Sequence, residues 1–255
     1  MMPVSLLSHG RTRIVLSLLA LSASVAPTAS AQHGGDGFFF HPPAGAIALR
    51  FGYAAAAAKS DIFSFYTKQL TLSKRDFDGA TLEGELAITA GARYDLVLGA
   101  SYIRSASHSE FRDWVDNDDR PITQQTLFER APLTAGIRYY LNDRGRSVGQ
   151  FAWIPARYAV YAGGGAGFVW YRFHQRGDYV DFETLDVYPA TYDASDVTPI
   201  VHLALGGDYS ISKWVALNTE ARYSWAHGNL SADWVGFEPI DLSGLSITAG
   251  VHIRF

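Results

Sequence analysis

The segment LSGLSITAGVHIRF, Leu242 to Phe255, alternates without a slip. Leu245, Ile247, Ala249, Val251, Ile253 and Phe255 are apolar, while Gly244, Ser246, Thr248, Gly250, His252 and Arg254 are small or polar. A period of two puts these sets on opposite faces, so the segment is a strand with one greasy and one polar side. A second alternating strand, Val215 to Trp225, precedes it, and Phe255 falls on the apolar face.

The same alternation recurs along the chain. The expected strands run about Ala46 to Ala54, Thr81 to Thr89, Leu96 to Arg104, Leu133 to Leu141, Tyr158 to Arg172, Ile200 to Tyr209, Val215 to Trp225 and Leu242 to Phe255. That is eight strands with three connections at the end where both termini lie and four at the other. Two of the former are about five residues long, whereas the latter are long and include the charged segments Ser105 to Ala131 and Phe173 to Thr198, read as loops. Ile62, Phe63 and Tyr66, following Ser60 or Asp61, predict a short helix in the first long loop. The connection Asn142 to Ala156 is expected to lie along a membrane surface with Phe151 and Trp153 in the interface. Gly163 to Gly167 predicts tight curvature or a closely packed neighbour. A phosphate-cradling loop is rejected there, because Phe168 breaks the required spacing and no helix follows.

The amino terminus bears on compartment. Arg11 and Arg13 precede an apolar run from Ile14 to Val25, and Ala29-Ser30-Ala31 has the small-x-small form a signal peptidase accepts. Residues 1–31 are therefore read as a cleaved signal peptide, residues 32–45 as a periplasmic tail, and residues 46–255 as one barrel domain. The net charge is −4, and the leader carries two of the arginines and no acid, so the remainder is still more acidic and nothing favours nucleic acid. With no cysteine in an exported chain, disulfides, thiol catalysis and thiolate metal sites are excluded. Mean hydropathy is near zero, and no segment after the leader offers 18 uninterrupted apolar residues. Helical spans are thus not expected, whereas a barrel escapes that test because its strands spend alternate residues on lipid and lumen. The 14 Tyr and 6 Trp suit interfacial girdles.

The phrases GARYDLVLGASY, LTAGIRYYL, LNTEARYSWA and IDLSGLSITAGVHIRF resemble those of the small bacterial outer-membrane β-barrels, the class that includes the OmpA membrane domain, OmpX and OmpW. The resemblance covers about Ala46 to Phe255. It implies an all-β, eight-stranded antiparallel up-and-down transmembrane barrel with long outer loops, resident in the outer membrane as a monomer. Its implied partners are outer-membrane lipid and lipopolysaccharide, with the barrel-assembly machinery reading Phe255 during insertion. No peptidoglycan-binding domain follows the barrel, so cell-wall tethering is not expected. A soluble lipocalin-like barrel would turn the apolar faces inward. The leader, the terminal Phe255 and the inward charges favour the reverse.

On the barrel reading, Arg50, Glu85, Arg138, Asp208, Glu220, Arg222 and Arg254 all point inward, where charges of both signs would fill a narrow lumen. The expected role is structural or surface interaction through the outer loops, with a narrow porin-like solute channel as the alternative. The lipid A-modifying enzymes of the PagL kind are a third possibility. They carry His-x-Ser on one strand, which none of the eight histidines here provides, although Ser224, Glu220 and His202 are candidate neighbours. No residue is read as catalytic, and no cofactor is expected. The acidic runs at Asp113, Asp116, Asp118 and Asp119, and at Asp178, Asp181, Glu183 and Asp186, lack the spacing of a calcium loop and are read as solvated.

Overall fold

The computed structural model describes residues 37–181 and 183–255. The expected signal peptide and the start of the tail lie outside the described residues. Twelve strands follow in chain order: β1 Gly45–Ala56, β2 Gly79–Thr89, β3 Tyr94–Val115, β4 Pro121–Tyr140, β5 Gly145–Val148, β6 Ala152–Pro155, β7 Tyr158–Val180, β8 Val187–Ser210, β9 Val215–Trp225, β10 His227–Gly228, β11 Ile240–Asp241 and β12 Gly244–Arg254. Eight of them close a barrel in the order β1-β12-β9-β8-β7-β4-β3-β2, every pair antiparallel. The seam between β1 and β12 runs unbroken from Ala46↔Arg254 to Ala56↔Gly244. Within the ring itself, closure leaves no edge strand to template aggregation.

The faces fall as the alternation predicts. Ile47, Leu49, Phe51 and Tyr53 of β1, and Ile247, Val251 and Ile253 of β12, are exposed on the outside. Arg50 and Thr248, between them in sequence, are buried inside. The apolar belt covers about ten residues of each strand, the length a tilted strand needs to cross hydrocarbon. Aromatic residues mark its two rims: Tyr53, Tyr102, Phe168 and Trp225 at one, Tyr94, Tyr158, Tyr209, Trp214 and Phe255 at the other. A lipocalin-like core is thereby ruled out, since the greasy faces are on the surface.

Four strands overshoot the belt, which corrects the loops expected at Ser105 to Ala131 and Phe173 to Thr198. β3 and β4 continue as a hairpin to a turn at Asp116–Arg120, and β7 and β8 pair without interruption from Tyr158↔Tyr209 to Val180↔Val187. The period of two persists there, but its polarity inverts. On β4, Ile122, Gln124, Thr126 and Phe128 are buried inside while Pro121, Thr123 and Gln125 face water. Pro132 has no N–H to give, and the β3–β4 ladder lapses beside it between Ala100↔Leu133 and Ile103↔Arg130.

The inverted end encloses an apolar core of its own. The predicted helix is α1, Asp61–Gln69, with Ile62, Phe63 and Tyr66 buried on one face. Nine residues make a helix that is marginal alone, so packing holds it. Phe63 stands 4.7 Å from the ring of Phe77, 5.7 Å from Phe128 and 6.0 Å from Phe173. Ser60 occupies the N-cap but makes no side-chain cap bond, because its hydroxyl accepts the N–H of Asp241 instead. The helix is thus tied to the last loop, where β10 and β11 pair and Trp234 packs.

At the opposite end β5 and β6 form a small hairpin. Phe151 is exposed, but Trp153 is buried rather than interfacial. Phe39 accounts for this: it pairs with Trp153 through both backbone groups and sets its ring 4.5 Å from that of Trp214. This part of the expected tail is folded against the inner mouth.

Candidate functional site

Two regions of the described barrel bring chemically capable side chains together. The first is the middle of the lumen. Arg50, on β1, donates to Asn218 at 2.8 Å, Glu83 at 2.9 Å and Glu85 at 2.6 Å. Arg138, on β4, bonds Glu85 at 2.5 Å and Glu220 at 3.4 Å. Arg222, on β9, reaches Glu83 at 2.5 Å and Glu220 at 2.7 Å. Three guanidiniums and three carboxylates therefore balance in one cluster, which is what lets charges persist away from water. The oxygens of Glu83, Glu85 and Glu220 converge within 4.8 Å, a spacing that suits a cation, and the three arginines supply that positive charge.

Neutral groups complete the cluster. Tyr161 donates to Glu220 at 2.9 Å, accepts from Asn218 at 3.0 Å and lies under the Arg138 guanidinium, 4.1 Å from its ring centre. Asn218 also donates to Asp208 at 2.7 Å, and His252 Nδ1 lies 2.9 Å from the same carboxylate. Asp208 is thus joined to the cluster at one remove. Arg254 lies at the inner mouth, donating to Ser210 at 2.9 Å and lining the same small cavity as Asp208. Also at that mouth, Arg144 pairs with Asp95 at 2.6 Å and covers the ring of Tyr140. Two cavities along this path, one beside Arg138 and Glu220 and one beside Arg144 and Arg254, measure about 20 and 30 Å³, room for about one water each.

Glu83, Asn218, Tyr161, Tyr140 and His252 were not among the expected site residues. Each sits at an inward parity position and carries a polar atom, so parity alone could have found them. Ser224 does face His202 in register. Glu220, however, is held by Tyr161 and the arginines, and His202 Nδ1 has no hydrogen-bond partner. The three do not form a nucleophile–base–orienter relay.

The second region lies in the outer extension. A cavity of about 490 Å³ opens between α1, the far ends of β7 and β8 and the loop carrying Trp234. Trp234 Nε1 donates to the Tyr66 hydroxyl at 2.9 Å. Burial pushes the Tyr66 phenol up to about 12. The Tyr188–Tyr192 hydrogen bond raises Tyr192 to about 12 as well, so both walls stay neutral at physiological pH. The acidic residues at the hairpin tips close turns: Asp116 accepts the N–H groups of Asp118 and Arg120, and Asp181 those of Glu183 and Thr184.

The fold and lumen define an eight-stranded antiparallel barrel with its apolar side outward and its polar side in. No protein-family model and no curated protein sequence matches the chain. Among solved structures, Neisserial surface protein A superposes with a TM-score of 0.44 at 9% identity, over 83% of this chain and 96% of that one. Ail, the attachment invasion locus protein of Yersinia pestis, gives 0.38 at 13% identity, over 83% and 99%. The N-terminal β-barrel domain of OprF from Pseudomonas aeruginosa gives 0.34 at 9%, over 84% and 100%. Closure of the barrel rests on its own strand pairing, independent of these overlaps.

Proposed function

We propose that this is a monomeric outer-membrane barrel with a closed lumen, whose outer extension performs its recognition. The observation that carries the reading is the charge-balanced cluster across the lumen, backed by the α1 core at one end and the Trp153 hairpin at the other. An eight-stranded barrel has an interior only wide enough for side chains to fill, so such a cluster leaves no continuous water path. The belt and its two aromatic rims support lipid and lipopolysaccharide as the surroundings. Phe255 supports the assembly-signal reading, because it faces outward at the inner rim and its backbone bonds both Ala44 and Gly45 across the seam. The protein is read as non-enzymatic, its role structural or one of surface interaction through the β3–β4 and β7–β8 hairpins.

Conductance in planar bilayers tests the reading. The purified chain is expected to insert without current, and the triple variant Glu83→Gln/Glu85→Gln/Glu220→Gln, which upsets the charge balance, to leak. Stepwise conductance from the unaltered chain would overturn the closed lumen and favour a solute channel.

A further inference from the structure

We propose that the 490 Å³ cavity in the outer extension is a binding site for an organic cation with an apolar body, such as a quaternary ammonium. Its volume is in the range that holds small ligands. Its walls are aromatic on several sides. Tyr179 and Tyr192 stand 4.8 Å apart at 86°, and Trp234 lies 6.0 Å from Tyr192, so the rings that line the cavity are set at different angles. Aromatic faces are electron-rich and attract cations, most strongly where water is displaced.

The charges agree with the rings. Asp181, Glu183 and Asp233 line the cavity, and among the described residues no lysine, arginine or histidine does. Asp181 is partly committed to its turn, which leaves Glu183 and Asp233 as the carboxylates able to face a ligand. Buried Gln124 adds an amide oxygen to the wall that has no hydrogen-bond partner, a partial negative charge that faces a cation without requiring a donated hydrogen. An anion would meet three carboxylates and no compensating base, and a neutral apolar molecule would gain nothing from them. This inference goes beyond the closed-lumen reading and stands apart from it, since the cavity lies outside the belt.

Calorimetry on the full chain in lipid nanodiscs, with empty nanodiscs as the blank, tests it. The probes are acetylcholine and its neutral carbon isostere, 3,3-dimethylbutyl acetate. The cation is expected to bind saturably at one site, at least tenfold tighter than the isostere. Asp233→Asn/Glu183→Gln should erase most of that preference while leaving the isostere unchanged. Tyr192→Leu should weaken the cation at least tenfold, with the barrel's circular dichroism retained. Equal affinity for the two probes, no saturable binding, or cation binding indifferent to both variants would overturn the proposal. A barrel that conducts yet binds in this way would sink the closed lumen alone.

Discussion

Arg50 bonds Glu85 at 2.6 Å although its in-register partner across β1 and β2 is Glu83, so one guanidinium serves the opposite and the diagonal carboxylate together. Glu85 in turn links Arg50 to Arg138, three strands away around the wall. Removing one member strands the others: Arg50→Ala leaves three buried carboxylates facing two arginines. A loss of about 3–5 kcal/mol is expected, as for other broken buried pairs. Urea unfolding in micelles reads it, and a change below 1 kcal/mol would mean that water replaces the lost partner.

Arg130 presents the opposite case. It is buried at the junction between the polar lumen and the apolar core, bonds Leu242 O at 3.3 Å and lies over Phe128, but Nε and Nη2 have no partner. Arg130→Met keeps the aliphatic stem and removes a buried charge that Asp78 and Asp241 offset only through space, with no ion pair to either. Stability should rise by about 1–3 kcal/mol, measured as a higher unfolding midpoint. A fall would show that Asp78 and Asp241 compensate the charge.

Phe63 is the hub of the outer core. Phe63→Ala should cost about 3–5 kcal/mol, and the cost should stay local. Amide hydrogen exchange is expected to accelerate in α1 and around Trp234, while β1, β2, β9 and β12 remain protected within the belt. Uniform acceleration would show the two ends to be one cooperative unit.

The glycine run separates into two environments. A Cβ on Gly165 would meet the Ala135 carbonyl oxygen at 2.4 Å and Gly136 Cα at 2.8 Å, whereas on Gly164 it would meet a movable Leu203 methyl at 3.0 Å and the His202 carbonyl oxygen at 3.1 Å. Gly165→Ala should therefore destabilise by about 1–3 kcal/mol and Gly164→Ala by less, as thermal or urea midpoints will tell. Equal effects would locate the close approach elsewhere.

Asp116 at the tip of the β3–β4 hairpin should titrate below the ordinary aspartate value, chiefly because the Arg120 N–H bonds its carboxylate. A lowered folded value means that the order it lends the turn is full above the ordinary value and is lost as pH falls through the lowered one. Carbon-detected NMR of the side chain measures this. Loosening of the tip that began above the ordinary value would contradict it.

How much of this was legible depended on what each face meets. Along Ile47 to Tyr53 and Ile247 to Phe255 one face meets an apolar surrounding and the other a charged lumen, so alternation read both the strand and its orientation. Past Tyr102 and Phe168 the outward face meets water and the inward face meets α1. Pairs such as Arg172 and Asp193 on the outside, and Phe128 and Phe173 inside, carry alternation of opposite sign, which a search for outward apolar residues reads as loop. The lumenal charges Arg50, Glu85, Arg138 and Glu220 could be placed by parity. Their pairing could not, because it depends on diagonal reach across strands distant in sequence. The outer cavity was hidden for a related reason: Tyr66, Tyr192 and Trp234 come from three separate segments, and nothing local links them.

The reversal of polarity halfway up the wall means that one continuous sheet is stabilised under two different solvent regimes. Burial from water drives the α1 end, so chaotropes and chilling should loosen it first, while the greasy girth answers to the thickness and fluidity of whatever amphiphile surrounds it. Calorimetric melting should accordingly resolve two steps, with bilayer composition shifting the second and leaving the first in place.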